Sequence, residues 1–244
     1  MRDLLHSSGS IEETLTFRGK ALDPVRVVEI FESLLTEDRR DRINNVIDGR
    51  SLTLLPVVEG LVNTGNVSAV MRSAEALGCA RVDVVTGEQP YKHSKRTTQG
   101  ADKWLDIRLF RSPSDWANVV REEGFQIVVT LLGESSVDLD EIDFSHPTAV
   151  VFGNELNGVS TEMASIADVR CRIPTVGFVQ SFNISVAAAI VLHHARQAGE
   201  GNGSRLSEKQ ATRLRAAYYL RSIAHAHQLL DRFFDTQQEP DRLL

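Results

Sequence analysis

The chain of 244 residues is poor in cysteine: Cys79 and Cys171 are its two thiols, and their spacing matches no metal-ligand pattern. That excludes a disulfide scaffold and makes a reducing compartment the simplest setting. Long apolar runs are also missing. The stretch Ala187–Leu192 is typical of the longest, far short of the ~20 residues needed to cross a bilayer, so no membrane partner is expected. The N-terminal MRDLLHSSGSIEETL carries acids and lacks the apolar centre of a secretory signal. An intracellular, cytoplasmic location follows, with an organelle as the alternative if a targeting segment has been trimmed. There is no G-x-G-x-x-G after a strand, no Walker A motif and no H-E-x-x-H, which sets aside dinucleotide oxidoreductases, P-loop enzymes and zinc proteases. His193 and His194 sit mid-helix without partners at ligand spacing, and His225 and His227 face differently, so no metal is expected. Finally, basic charge is not in excess. Against 33 acidic residues stand 27 basic ones, a net charge of −6, which taken alone argues against a nucleic-acid partner.

What is present is ordinary for a globular protein: 42% hydrophobic, 25% charged and 16 glycines. The length fits one large α/β domain with flanks. The charge is unevenly spread. Residues 112–168 hold one basic and eleven acidic residues, a deficit larger than that of the whole chain, whereas 88–111 hold six basic and three acidic, and 169–244 hold ten and six.

The first twenty residues show no periodicity and are expected to form a loose arm. Helical patterns follow from Asp23 and across Glu37–Ile47, the latter with Arg39, Arg40 and Arg42 on a solvated face. Short apolar runs then alternate with helical stretches. Strands are expected at Leu54–Val58, Val82–Val85, Ile127–Leu132, Ala149–Phe152 and Val169–Ile173, and helices at Asn66–Leu77, Ser114–Glu123, Thr161–Ile166 and Phe182–Arg196. Such alternation marks βαβ units on a mostly parallel sheet. Pro90–Arg108 reads as a long basic loop, and Glu200–Ser204 as a flexible joint. One last helix is expected from Ser207 to Phe234, with Lys209, Arg213 and Arg221 on a single stripe. This divides the chain into an N-terminal arm and helical extension (1–50), a core (51–199) and a C-terminal helical extension (200–244).

Three clusters carry chemistry. Asn63-Thr64-Gly65-Asn66-Val67-Ser68-Ala69-Val70-Met71-Arg72 opens a helix after a strand; by itself it is equally a helix cap at Asn66 with a surface ion-pair partner at Arg72. Val150-Val151-Phe152-Gly153-Asn154-Glu155-Leu156-Asn157-Gly158-Val159 runs a strand into a glycine loop with one carboxylate, placed where open α/β sheets bind ligands or simply as a βα turn. Ile173-Pro174-Thr175-Val176-Gly177-Phe178-Val179-Gln180-Ser181-Phe182-Asn183-Ile184-Ser185-Val186-Ala187-Ala188-Ala189 joins a strand end, a Pro/Gly loop and a small-residue helix. Backbone groups there could bond a purine edge between Ile173 and Phe182, and the alanine face would also serve as a packing interface.

In this order the three clusters resemble the motifs of the SpoU/TrmH branch of the SPOUT RNA methyltransferases, over residues 54–196, and the flanks are similar to those of its tRNA guanosine-2′-O-methyltransferase members. The resemblance implies an α/β fold whose mostly parallel sheet is flanked by helices, with a C-terminal trefoil knot and helical extensions at both ends. It implies S-adenosylmethionine as cofactor, no metal, and a homodimer whose site draws on both chains. The implied function is 2′-O-ribose methylation of RNA, tRNA first. The alternatives are a ribosomal RNA 2′-O-methyltransferase and a catalytically silent RNA-binding dimer. By motif matching, Thr130, Leu131, Gly153, Asn154, Ile173, Val176, Gly177 and Phe182 fall at cofactor-binding positions, and Asn66, Arg72, Glu155, Ser181 and Asn183 at active-site positions. Phe182 stands where many members have leucine. Lys95, Arg96, Arg196, Lys209 and Arg213 are the expected RNA contacts. The family's counterpart of Arg72 is proposed as the general base, a difficult role for a guanidinium with a pKa above ~12. Clamping the RNA phosphate is the other reading. The uneven charge then becomes an expectation: the acids of 112–168 face away from the RNA.

Overall fold

The computed structural model describes residues 15–60, 63–87, 91, 94–133, 135–154, 157–199 and 206–237. Expectations for residues 1–14, for residues 90, 92 and 93 of the basic segment, for Glu155 and for the 200–204 joint lie outside the described residues.

In chain order the elements are β1 (Leu15–Phe17), β2 (Lys20–Leu22), α1 (Pro24–Phe31), α2 (Glu37–Asp48), β3 (Leu54–Glu59), α3 (Thr64–Ala76), β4 (Arg81–Val85), α4 (Lys95–Thr98), β5 (Asp106–Phe110), α5 (Pro113–Glu122), β6 (Gln126–Thr130), β7 (Val137–Asp138), β8 (Thr148–Phe152), α6 (Thr161–Ile166), β9 (Val169–Arg172), α7 (Ile184–Ala198), α8 (Glu208–Ser222) and α9 (Ala226–Gln237). Two compact units result. One spans Arg50–Arg205, and the other combines the chain up to Gly49 with the chain from Leu206 onward.

The larger unit holds a seven-stranded sheet in the order β5-β4-β3-β8-β6-β9-β7, with every pair parallel. Its central strands are buried on both faces, as parallel strands between helical layers must be, so Leu54–Val58 and Ala149–Phe152 are continuous apolar runs. On one face α7 packs against α3, with Ala188, Val191, Leu192 and Ala195 meeting Val67, Val70, Met71 and Ala74 in one core cluster. The alanines let the two helices approach closely. On the other face α5 and α6 cover the sheet through Trp116, Ala117, Val120 and Met163. The helices start as the sequence dictates. Asn63 caps α3, its Oδ1 accepting from the amides of Gly65 (2.9 Å) and Asn66 (3.4 Å). Asn66 thus lies in the first turn rather than at the cap. Ser112, Ser160 and Asn183 cap α5, α6 and α7 in the same way.

The segment expected as a long basic loop is mostly ordered structure. It contains α4, a 3-10 turn at Ala101–Lys103 and the edge strand β5. Arg108 is not a phosphate contact: it is buried, its Nε and an η-nitrogen donating to Asp83 (2.9 and 2.7 Å) and its other η-nitrogen to Glu123 (2.7 Å). Arg81 binds the same Glu123 carboxylate at 2.7 Å, and the Trp116 indole donates to Asp83 at 3.0 Å. This buried network joins β4, β5 and α5. Burial opposes the Arg108 charge, yet Asp83 and Glu123 raise its pKa above the ordinary value; burial likewise opposes ionisation of Glu123, but Arg81 and Arg108 lower its pKa.

In the smaller unit, residues expected within a loose arm pair as the β1–β2 hairpin. Helices α1 and α2 both pack on α8, and Arg215 donates to Asn44 at 2.9 Å. The single last helix expected from the sequence is two helices, broken where His225 turns left-handed (φ 60°). Arg213 is buried, which ends its candidacy as a phosphate contact and breaks up the basic stripe.

Candidate active site

The parallel strands end in a cavity of about 540 Å³ in the larger unit, within the ~300–1,000 Å³ typical of small-molecule sites. It lies beyond the carboxyl ends of β6, β8 and β9, three neighbouring strands of the sheet. Open α/β sheets bind ligands at such points. Four stretches far apart in sequence form it: Thr130–Leu132, Phe152–Asn154 with Asn157 and Gly158, Cys171–Ile173, and Gln180–Ile184 with Ala187.

Its walls are built by specific local interactions. Thr130 Oγ1 donates to the Val151 carbonyl at 3.0 Å, and the Leu131 amide to the Cys171 carbonyl at 2.9 Å. The loop after β8 closes on itself: Asn154 and Gly158 exchange two backbone hydrogen bonds (3.0 and 2.9 Å), and Asn154 Oδ1 accepts from the Asn157 amide at 2.8 Å. Gly153 is required there, because a Cβ would lie 2.1 Å from the Gly158 carbonyl carbon and 2.2 Å from the Val159 nitrogen. The far end of this loop is tied to β3. Glu59, buried, accepts from the Ser160 amide (2.8 Å) and hydroxyl (2.6 Å).

Of the residues matched to cofactor positions, Thr130, Leu131, Gly153, Asn154, Ile173 and Phe182 line the cavity. Val176 and Gly177 do not; they lie in an exposed loop that also bares Phe178 and Val179. Ser181 and Asn183 line it too, and Asn183 holds its Oδ1 on the Ser185 amide (2.9 Å) and hydroxyl (2.6 Å). Asn66 and Arg72 are on α3, half-buried and exposed respectively, and neither lines the cavity of its own chain. Lys95 and Arg96 are exposed on α4, which hangs on α3 through a hydrogen bond from the Ser94 amide to Ser68 Oγ (2.7 Å). Arg196 is half-buried and close enough to act electrostatically on Cys79. Lys209 is exposed on α8 of the smaller unit.

Arg172 and Glu59 carry no signal in the sequence that marks them as site residues. Arg172, held by Asp138 at 2.6 Å, is the one charged residue among the described residues lining the cavity. None of the nine described acids of 112–168 lines it. Burial, and for Cys171 the nearby Asp138, push both thiols up to about 12, so neither cysteine is a nucleophile at neutral pH. The cavity therefore offers backbone polar groups, amides, hydroxyls and apolar walls. That chemistry suits holding a nucleoside-containing ligand better than attacking it.

Residues 54–193 match the model of the SpoU rRNA Methylase family. A tRNA (guanosine(18)-2′-O)-methyltransferase of Aquifex aeolicus is 36% identical over 175 residues, 71% of this chain and 83% of the relative. The crystal structure of the A. aeolicus TrmH/SpoU tRNA modifying enzyme superposes with a TM-score of 0.71 at 33% identity, covering 77% of this chain and 98% of that one. An AdoMet-bound rRNA methyltransferase from Sinorhizobium meliloti superposes with a TM-score of 0.56 at 30% identity, covering 65% and 59%.

Proposed function

Since the chain belongs to the SpoU rRNA methylase family, we propose that it methylates a ribose 2′-hydroxyl of tRNA, at guanosine 18, with S-adenosylmethionine as donor. The observation that carries this reading is the cavity: motif residues from four separate stretches converge beyond the ends of parallel strands, and a solved relative binds the same donor. The residues present fit that donor. Ile173 and Phe182 provide apolar walls for a purine, the backbone around Leu131 and Gly153 provides polar edges, and the glycine at 153 leaves room that a side chain would fill. When bound, the donor supplies an electrophilic methyl group. The protein's own part is to align the hydroxyl and to accept its proton, and positioning of this kind lowers a barrier substantially.

Asn66 and Arg72 belong to the same site in this reading, supplied to each cavity by a second copy of the chain. The active unit is then a homodimer, and the C-terminal part of the core forms a trefoil knot. The exposed apolar residues Val176, Phe178, Val179 and Val186 support a partner surface of that kind. Arg72 either takes the hydroxyl proton or clamps the adjoining phosphate. Glu155, at its motif position, orients the loop or a basic group. Lys95, Arg96, Lys209 and Arg196 form the basic footprint, without Arg213. A tRNA substrate puts the work inside the cell, in the cytoplasm.

Two co-expressed inactive variants test the shared site. Arg72→Ala and Asn183→Ala each lose activity alone; mixed in one two-fold dimer they regenerate one intact site, giving about a quarter of wild-type activity in a random mixture. No recovery would mean that both residues act from one chain. A pH–rate profile of Arg72→Lys separates base from clamp: if residue 72 takes the proton, the limb that rises with pH moves down toward the lysine range, and a limb unmoved from that of the wild type removes Arg72 as the titrating group.

A further inference from the structure

Glu59 is a buried carboxylate that the reaction above does not use. It ends β3, the strand that leads into α3, and both its oxygens accept from Ser160, one from the amide and one from the hydroxyl. Ser160 in turn caps α6, its hydroxyl accepting from the Met163 amide at 3.0 Å. Between Gly153 and Ser160 runs the loop that contributes Gly153, Asn154, Asn157 and Gly158 to the cavity. The next residue, Gly60, adopts φ 75°, and a Cβ there would come within 2.9 Å of the Asn154 side-chain nitrogen. One short stretch of backbone, Glu59–Gly60, thus holds the far end of the cofactor loop through Ser160 and packs closely against its near end at Asn154, while starting the connection to the helix that carries Asn66 and Arg72.

We infer that Glu59 is a positioning residue that couples the cofactor loop to the substrate-binding end of α3. A shift of the loop when donor binds is passed through Ser160 and Asn154 to Glu59–Gly60 and so to the start of α3. The coupling acts through hydrogen bonds and contact, and Glu59 itself touches neither donor nor RNA. This inference rests on the methyltransferase reading.

The test compares wild type with Glu59→Gln, which keeps the volume and one acceptor but turns an NH2 toward the Ser160 donors. The probe is S-adenosylhomocysteine, with affinity read by calorimetry and backbone protection by hydrogen exchange. In wild type the probe protects both the 153–159 loop and the first turn of α3. In Glu59→Gln the affinity falls about tenfold or more, as misplacement of a supporting group does, and protection of α3 disappears while that of the loop persists. Ser160→Thr, which retains both donors, behaves as wild type. Gly60→Ala reaches the same joint from the Asn154 side and keeps the test open should Glu59→Gln fold poorly. Glu59→Gln with wild-type affinity and wild-type α3 protection would overturn the inference alone, as would a lowered Tm with affinity unchanged. Wild type that fails to bind the probe would remove the methyltransferase reading and this inference together.

Discussion

Replacing Gly153 with alanine adds one methyl group at a crowded point of the cavity proposed to hold the cofactor. The new carbon would lie 2.1 Å from the Gly158 carbonyl carbon, 2.2 Å from the Val159 nitrogen and 2.4 Å from the Gly158 oxygen, where ordinary contact begins at 3.4 Å. All three atoms are backbone, so no side-chain rotation relieves the clash, and the 154–159 loop must retreat by roughly 1 Å. That retreat strains the paired Asn154–Gly158 hydrogen bonds and reshapes the wall formed by Gly153, Asn154 and Gly158. Overpacking costs about 1–3 kcal/mol, and in a chain of this size about 2–4 °C of Tm for each kcal/mol. The functional effect is larger, since a misplacement of about 1 Å costs on the order of 100-fold. Calorimetry with S-adenosylhomocysteine, a methylation assay and a thermal melt measure the three effects separately. A Gly153→Ala protein that binds the product with wild-type affinity would refute the assignment of this cavity to the cofactor.

Further predictions concern charge and thiols. Asp83→Ala strands Arg108 in the interior and should cost about 3–5 kcal/mol in urea denaturation; a loss under about 1 kcal/mol would mean that the network contributes little. Glu123 has its pKa lowered in the folded state by Arg81 and Arg108 despite its burial. Its contribution is therefore fully present above the ordinary glutamate value of about 4.3 and is lost as pH falls below it; Glu123→Gln should flatten that part of the stability profile. Maleimide should label neither Cys79 nor Cys171 in the folded protein at pH 7.5 but both in denaturant, and a fast-reacting thiol would contradict the burial described. Lys95→Ala with Arg96→Ala should raise the KM for tRNA and flatten its logarithmic salt dependence by up to about two, leaving S-adenosylhomocysteine binding unchanged.

What the sequence disclosed follows physical lines. β3, β6 and β8 were legible because strands buried on both faces have near-continuous apolar centres, and β4 was legible from Val82, Val84 and Val85 despite the buried Asp83. β5 was hidden because Asp106 and Arg108 give it the polarity of a loop, and the groups that neutralise Arg108 lie at Asp83 and Glu123, on another strand and after a helix. The β1–β2 hairpin has three residues per strand, too short for a period to show. No glycine or proline announces the turn at His225. Of the residues matched by motif order, Thr130, Leu131, Gly153, Asn154, Ile173, Ser181, Phe182 and Asn183 line the cavity. That Arg72 stands away from its own chain's cavity accords with the two-chain site that the resemblance implies, whereas spacing along one helix says nothing of where a second chain would bring it. Glu59 escaped notice because its partner, Ser160, is 101 residues distant.

The most direct measurement of the central claim is transfer of a labelled methyl group from S-adenosylmethionine to tRNA, followed by nuclease mapping of the modified nucleotide. One labelled position is expected, a 2′-O-methylguanosine at position 18, absent when that nucleotide lacks its 2′-hydroxyl. Label on a base, label that survives loss of the hydroxyl, or label confined to ribosomal RNA would contradict it.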